Sequence, residues 1–253
     1  MEGSRGLGDV YKRQLMNIVL SGFSGSIGKT IFNSFVSTEY NFFPYNIRND
    51  RLEFGHDLEN FDVFIHLASL KANIQNQNHF QEELNLSKKA LSFCIKRKIK
   101  HIIFFSTSQI YSKKNSINGS IDEAAKIQPE NIYASAKLEC EEFLLEACKQ
   151  YGLGLTILRL PHFVDLKSST KVSKLIKFSS RLRVFPVFEG ANKNRKSFLT
   201  KKNLISVVNK ALSRERDNSD NLLVFNVADK SPISTNDLVK AFHKKMESHV
   251  VYI

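Results

Sequence analysis

Tyr133-Ala134-Ser135-Ala136-Lys137 sets a phenol and an ammonium four residues apart, on one face of any helix that contains them. A free tyrosine titrates near pKa ~10 and is a poor base at neutral pH. A lysine charge beside it, joined by that of an oxidised nicotinamide, favours the phenolate and lowers the Tyr133 pKa. Such a pair could take a proton from a hydroxyl while hydride leaves the same carbon. Two other features stand in the order this chemistry needs. Ser106-Thr107-Ser108 supplies hydroxyls to bond and orient the reacting oxygen, and Gly22-Phe23-Ser24-Gly25-Ser26-Ile27-Gly28 supplies a glycine turn for a pyrophosphate. A Tyr and a Lys at this spacing are common on helices, and three glycines alone say little. Together they describe hydride transfer.

The elements that must position these groups follow from the apolar pattern. Residues 16–21 (MNIVLS) read as a strand that runs into the glycine turn, and 27–36 as the helix after it. Glycines allow the turn and a close approach of backbone to phosphate, and the helix N-terminus favours the negative charge. Residues 41–46 predict a second strand, with Pro44 as an objection, and 61–67 a third. A long amphipathic helix spans 80–95. The continuous apolar run 101–106 fits a parallel strand covered on both faces. A helix over 132–150 and a strand over 155–160 complete the alternation. Strands alternating with helices imply right-handed βαβ units and a Rossmann-type, doubly wound parallel sheet of the α/β class. After Pro161 shorter pieces follow: helices at 172–178 and 201–212, strands at 183–188 and 222–228, and a helix over 236–246 capped by Ser234 or Thr235. The reading is a dinucleotide-binding domain over 16–165 and a small C-terminal substrate lobe over 166–253, interleaved with the end of the sheet and truncated.

Composition excludes several classes. The chain of 253 residues, 42% hydrophobic and 25% charged, is ordinary for a globular protein, and no apolar run is long enough to cross a bilayer. The three cysteines, Cys94, Cys140 and Cys148, show no CxxC spacing and read as buried apolar residues in a reducing, cytoplasmic setting. The seven histidines show no ligand spacing, so no metal is expected. The formal charge of +12 favours anionic ligands. Its densest run, Lys96-Arg97-Lys98-Ile99-Lys100, lies at a helix end, where cations suit the dipole. Residues 1–15 lack the apolar region of a signal peptide, and Asp9 to Gln14 resembles a translated transposon end. They read as a non-native leader, with Met16 the expected start.

Folds of this kind usually grip the adenosine ribose with an acid at the end of the second strand. Here Asn46 stands there, followed by Arg48 and Arg51. A neutral amide does not repel a 2′-phosphate and an arginine could pair with one, so NADP stands beside NAD as the expected cofactor.

From residue 16 to 248 the chain resembles the extended short-chain dehydrogenase/reductase family, the NAD-dependent epimerase/dehydratase group. The similarity lies in SGFSGSIG (21–28), HLASLKA (66–72), FFSTSQIY (104–111), YASAK (133–137), TILRLP (156–161) and FNVADKSPIS (225–234). HLASLKA is similar to the matching stretch of UDP-glucose 4-epimerases. The resemblance implies catalytic Thr107, Tyr133 and Lys137, with Thr107 selected by its distance from Ile110-Tyr111. It implies cofactor contacts from Gly22, Gly25, Ser26, Ile27, Gly28, Asn46, Arg48, Asp57, Leu58, Leu67, Ala68, Lys71, Tyr133, Lys137 and Pro161. Asn85 takes the family's structural asparagine position. Ser108, His162 and Lys196 are implied at the substrate, with Lys196 near the family's phosphate-binding arginine; a lysine keeps the charge but loses the bidentate fork.

Ser108 and Gln109 fall where sugar 4,6-dehydratases carry an Asp-Glu pair, and neither can protonate a leaving hydroxyl or remove the neighbouring proton. Dehydration is therefore disfavoured. The expected activity is that of a nucleotide-sugar epimerase, similar to the UDP-hexose 4-epimerases. The alternative is an NADPH-dependent reductase of a keto-sugar nucleotide. A reading of another class, a non-catalytic nucleotide- or RNA-binding relative, fits the basic charge but leaves Thr107, Tyr133 and Lys137 without a task. A homodimer is what the family suggests; a membrane or nucleic-acid partner is not expected.

Overall fold

Apolar runs that are continuous rather than alternating must be covered on both faces, and the computed structural model of the chain has such a sheet. It describes residues 15–35, 39–54, 60–70, 77–112, 121–165, 195–216, 222–234 and 237. In chain order the elements are β1 (Met16–Ser21), α1 (Ser26–Ser34), β2 (Tyr40–Asn46), β3 (Arg51–Leu52), β4 (Val63–His66), α2 (Gln77–Lys96), β5 (His101–Thr107), α3 (Ile132–Tyr151), β6 (Gly154–Leu160), β7 (His162–Val164), β8 (Arg195–Lys196), β9 (Phe198–Thr200), α4 (Lys201–Arg216), β10 (Leu222–Asn226) and β11 (Ile233–Ser234). A seven-stranded sheet runs in the order β10-β6-β5-β4-β1-β2-β3. All its pairings are parallel except that of β2 with β3. This is the predicted α/β class and doubly wound sheet.

Strand periodicity divides the core into two layers. Val19, Phe64, Ile102, Phe104, Leu155 and Ile157 face one side, where Ala90, Leu91 and Cys94 of α2 and Cys140, Leu144 and Cys148 of α3 cover them. Ile18, Leu20, Ile65, Ile103, Phe105 and Leu160 face the other, under Ile31 and Phe35 of α1 and Leu204, Val208 and Leu212 of α4. The cysteines are free and buried, as expected of small apolar residues. No helix among the described residues is long and apolar enough to cross a membrane, and no His/Cys/Asp/Glu group there could hold a metal.

Pro44 does sit inside β2. Its carbonyl accepts from Glu53 N, on the side away from β1, so the missing N–H falls at the outer side of the strand and breaks no bond to β1. The predicted strand at 61–67 shortens to Val63–His66, and the short strands β3, β7, β8 and β9 were not predicted. The expected elements at 172–178 and 183–188 and most of 236–246 lie outside the described residues. Ser234 Oγ does accept from Asp237 N at 3.0 Å, the cap expected at that point. At the β10 edge, the outward Asn226 N–H donates to Glu123 Oε1 at 2.6 Å and the Asn226 side-chain amide donates to the Ile121 carbonyl.

Candidate functional site

In a sheet of this order the chain turns in opposite directions from β1 and β4, leaving a crevice beyond their C-terminal ends. Five strands of the central sheet end there with predicted site residues: Gly22 follows β1, Asn46 ends β2, Leu67 and Ala68 follow β4, Thr107 ends β5 and Pro161 follows β6.

The glycine turn is shaped by contacts that leave no room for side chains. Gly22 has φ +72°, and a Cβ there would lie 2.6 Å from Ala68 N and Leu67 C. Ser21 Oγ accepts from Ala68 N and hydrogen-bonds His66 Nδ1, so the ends of β1 and β4 are locked together. A Cβ on Gly28 would strike the Gly22 carbonyl oxygen and lie 2.7 Å from Phe23 Cα, because α1 packs directly on the turn. Gly25 is the N-cap of α1 and offers no side-chain cap. Its first turn holds no acidic residue, and a Cβ on Gly25 would meet only the Gly22 oxygen, at 3.3 Å. The start of α1 therefore presents backbone and dipole to an anion, with the half-buried Ser26 and Ile27 in its first turn. Gly28→Ala should lower stability by about 1–3 kcal/mol in urea unfolding and weaken dinucleotide binding with it, because α1 must withdraw from the turn.

Asn131 caps α3, accepting Ala134 N at 2.9 Å through its side chain, and so fixes where the helix begins. Tyr133 then lies in the first turn, half-buried, with Lys137 one turn deeper. Lys137 is 2% exposed. Its ammonium donates to Glu83 Oε1 of α2 at 2.8 Å and to the Phe105 carbonyl at 3.3 Å, and lies 4.8 Å from the Phe104 ring centroid. Glu83 Oε2 accepts from Leu70 N at 2.7 Å. Burial alone would lower the Lys137 pKa; Glu83 foremost, then Tyr133 and Cys140, reverse this and raise it above the ordinary 10.5. Burial alone would raise the Glu83 pKa; Lys137 and the Leu70 N–H reverse that, and it falls below the ordinary 4.5. The stabilisation from this pair is present between those ordinary values. It is lost as pH falls through the lower Glu83 value, or rises through the higher Lys137 value. His66, buried beneath and bonded to Ser87 Oγ, is pushed down to about 3 by burial and the Lys137 charge, and is neutral at neutral pH.

Thr107 closes β5, and its Oγ1 accepts from Gln109 N at 3.2 Å, capping a short 3-10 turn over Ser108–Ile110. The accepted bond leaves the Thr107 O–H free to donate. Ser108 is half-buried in that turn. The Ser106 Oγ is buried without a partner among the described residues. Behind these, Arg159 donates through Nε and Nη2 to Glu141 and through Nη1 to the Tyr111 hydroxyl at 2.6 Å. Tyr111 in turn donates to Asn226 Oδ1. This network ties the segment after the 3-10 turn to α3, β6 and β10.

His162 of β7 pairs with Phe198 of β9, its ring against that phenyl, and Lys196 of the neighbouring β8 lies close enough for its charge to act on the imidazole. Partial desolvation, then the Lys196 charge, hold the His162 imidazole below its ordinary value. Asn46 is half-buried at the end of β2 and accepts from Asn49 N, while Arg48 is exposed beyond it. Asp57, Leu58 and Lys71 lie outside the described residues.

One assignment is corrected. Asn85 is exposed on α2 and cannot serve as a buried structural amide. The polar side chain that α2 turns inward is Glu83, two residues earlier, on a stripe with Ser87, Ala90 and Cys94. Sequence reasoning missed it because its partner, Lys137, is remote in the chain. A carboxylate in register with small buried residues was the available signal.

The residues present fit a dinucleotide. The turn excludes side chains where a pyrophosphate would lie, and the start of α1 is uncapped by any side chain. Comparison with known proteins agrees. The profile of the NAD dependent epimerase/dehydratase family matches residues 18–228. A dTDP-D-glucose 4,6-dehydratase of Dictyostelium discoideum is 24% identical over an alignment of 220 residues that covers 79% of this chain and 49% of that protein. The chain thus spans about half the length of the curated relative it matches. Among solved structures, UDP-N-acetylglucosamine 4-epimerase from Bacillus cereus is similar with a TM-score of 0.78 at 17% identity, over 94% of this chain and 87% of that one. RMD from Pseudomonas aeruginosa, complexed with NADPH, gives the same TM-score, identity and coverage. UDP-glucuronic acid 4-epimerase from Bacillus cereus, in complex with NAD, gives 0.74 at 19%, over 94% of this chain and 86% of that one. At such identities the likeness to these structures is one of fold. The family match covers most of the chain, and on that ground the chain belongs to the NAD dependent epimerase/dehydratase family.

Proposed function

We propose that the chain is an NAD(P)-dependent nucleotide-sugar epimerase that oxidises a sugar carbon transiently and reduces it again from the other side, as the UDP-hexose 4-epimerases do. The observation that supports this is placement: Thr107 ends β5, while Tyr133 and Lys137 stand in the first turns of α3, with Lys137 bonded to the Phe105 carbonyl of β5 and within reach of the Tyr133 charge. When bound, the nicotinamide supplies a reversible acceptor of hydride. Tyr133 takes the proton of the sugar hydroxyl and later returns it. Thr107 donates a hydrogen bond to the same oxygen. Lys137 favours the phenolate of this tyrosine and gives a donor to the nicotinamide ribose. The glycine turn and the start of α1 hold the pyrophosphate, with Leu67, Ala68 and Pro161 as walls and Asn46 and Arg48 at the adenosine end. Ser108, His162 and Lys196 face the sugar nucleotide.

Similarity to a 4,6-dehydratase does not turn this reading to elimination. Ser108 and Gln109, in the 3-10 turn after Thr107, bring no carboxyl group to that place. A second reading, an NADPH-dependent reductase of a keto-sugar nucleotide, is favoured by neutral Asn46 and cationic Arg48 at the end of β2. Incubation with UDP-glucose or UDP-N-acetylglucosamine, followed by NMR of the anomeric protons, separates the two. Epimer appearing without net consumption of cofactor supports the first. Stoichiometric NADPH oxidation with a 4-keto sugar, and no epimer, replaces it with the second.

A further inference from the structure

Lys137 and Glu83 meet in a place where neither charge is supported by water, each 2% exposed. Two donors of the ammonium are engaged among the described residues, by Glu83 Oε1 and the Phe105 carbonyl. A third N–H is left for a ligand oxygen. The other Glu83 oxygen holds the backbone at Leu70 N. Leu70 follows Leu67 and Ala68, the residues whose backbone closes on Gly22. One side chain of α2 is therefore bonded both to the lysine of α3 and to the strand exit that borders the glycine turn.

We infer that Glu83 is a positioning residue for the cofactor: it keeps the buried Lys137 an ammonium, aims that group's remaining N–H at the crevice, and anchors the exit of β4. This rests on the function proposed above. Four elements pack around the ammonium, and their ionisable groups are few. Glu83 stands on α2, Tyr133 and Cys140 on α3, and the neutral His66 on β4. From β5 come the Phe105 carbonyl and the Phe104 ring. Glu83 is the one carboxylate among these groups. Without it, burial decides the protonation of Lys137, and a buried amine without a counter-ion releases its proton near neutral pH.

The test uses the full chain and binding of NADH and NADPH, followed by nicotinamide fluorescence between pH 6 and 9. Lys137 stays charged throughout in the wild type, so affinity should vary little, within about twofold. In Glu83→Gln, affinity should drop about tenfold from pH 6 to pH 9 as a charge-assisted hydrogen bond becomes a neutral one. Glu83→Asp should restore most of the flat profile, and Glu83→Gln/Lys137→Met should bind weakly at every pH without the titration. A pH-independent Glu83→Gln, or the same titration surviving in the double variant, overturns the inference. If Glu83→Gln does not fold, the ¹³Cε resonance of Lys137 in the wild type, assigned against Lys137→Met, decides it: titration below pH 9 overturns it, and its absence there supports it. Failure of the wild type to bind either dinucleotide sinks the proposed function itself. Normal wild-type binding with an unaltered Glu83→Gln sinks only the role of Glu83.

Discussion

Tyr133→Phe should lower turnover of the sugar nucleotide by about 10²–10⁴-fold, the range that a positioned proton-transfer group contributes, while NADH binding changes little. The substitution removes one oxygen from a half-buried side chain at the start of α3, and the Asn131 cap that fixes this helix is untouched. Folding and cofactor contacts should persist and only the proton step should fail. Single-turnover absorbance at 340 nm checks this, since formation of reduced nicotinamide should slow as much as overall turnover. Undiminished turnover in Tyr133→Phe would remove tyrosine from the mechanism. Thr107 is harder to read by substitution, because its Oγ1 also accepts from Gln109 N. Thr107→Val should lose both the oxygen contact and the cap, and Thr107→Ser should keep both.

Glu141→Ala should be the most damaging substitution away from the reacting atoms. Glu141 is 1% exposed and receives three hydrogen bonds from Arg159, which is 5% exposed. Deleting the carboxylate strands the Arg159 guanidinium inside the fold, and breaking one side of a buried pair costs about 3–5 kcal/mol. For a chain of this size the midpoint of thermal unfolding should fall on the order of 10 °C. The double variant Glu141→Met/Arg159→Met should recover much of the loss, since an apolar pair leaves no uncompensated charge. A double variant no more stable than Glu141→Ala would show that the Arg159–Tyr111–Asn226 contacts dominate instead.

Much of this architecture can be read from the chain itself. The runs 16–21, 101–106 and 155–160 are apolar because both faces of those strands are covered, and the structure places all three in the interior of the sheet. Gly22 and Gly28 are legible because few other residues fit a turn so close to β4 and α1. Strands of two or three residues, such as β3 and β7, are too short to leave a periodic signal; hydrogen bonding to a neighbour defines them. The Glu83–Lys137 and Glu141–Arg159 pairs were hidden for another reason. Charged residues on amphipathic helices ordinarily face water, and only the packing of α2 and α3 against the sheet turns these inward. The Asn85 reading came from the family resemblance, which carries no information on which face of α2 is buried.

The bonds that Glu123 and Ile121 make to Asn226 bear on how the protein behaves in a crowd. Among the described residues β10 is the last strand on its side of the sheet, and its outward amides are a template on which a foreign strand could grow. A carboxylate seated on one of them occupies the docking point and adds negative charge beside it. At the opposite border, two-residue β3 offers too short a ladder to recruit another chain. Both margins thus discourage the edge-to-edge strand pairing that leads to fibrils. Glu123→Val should therefore show itself first as faster aggregation at high concentration, before any loss of activity.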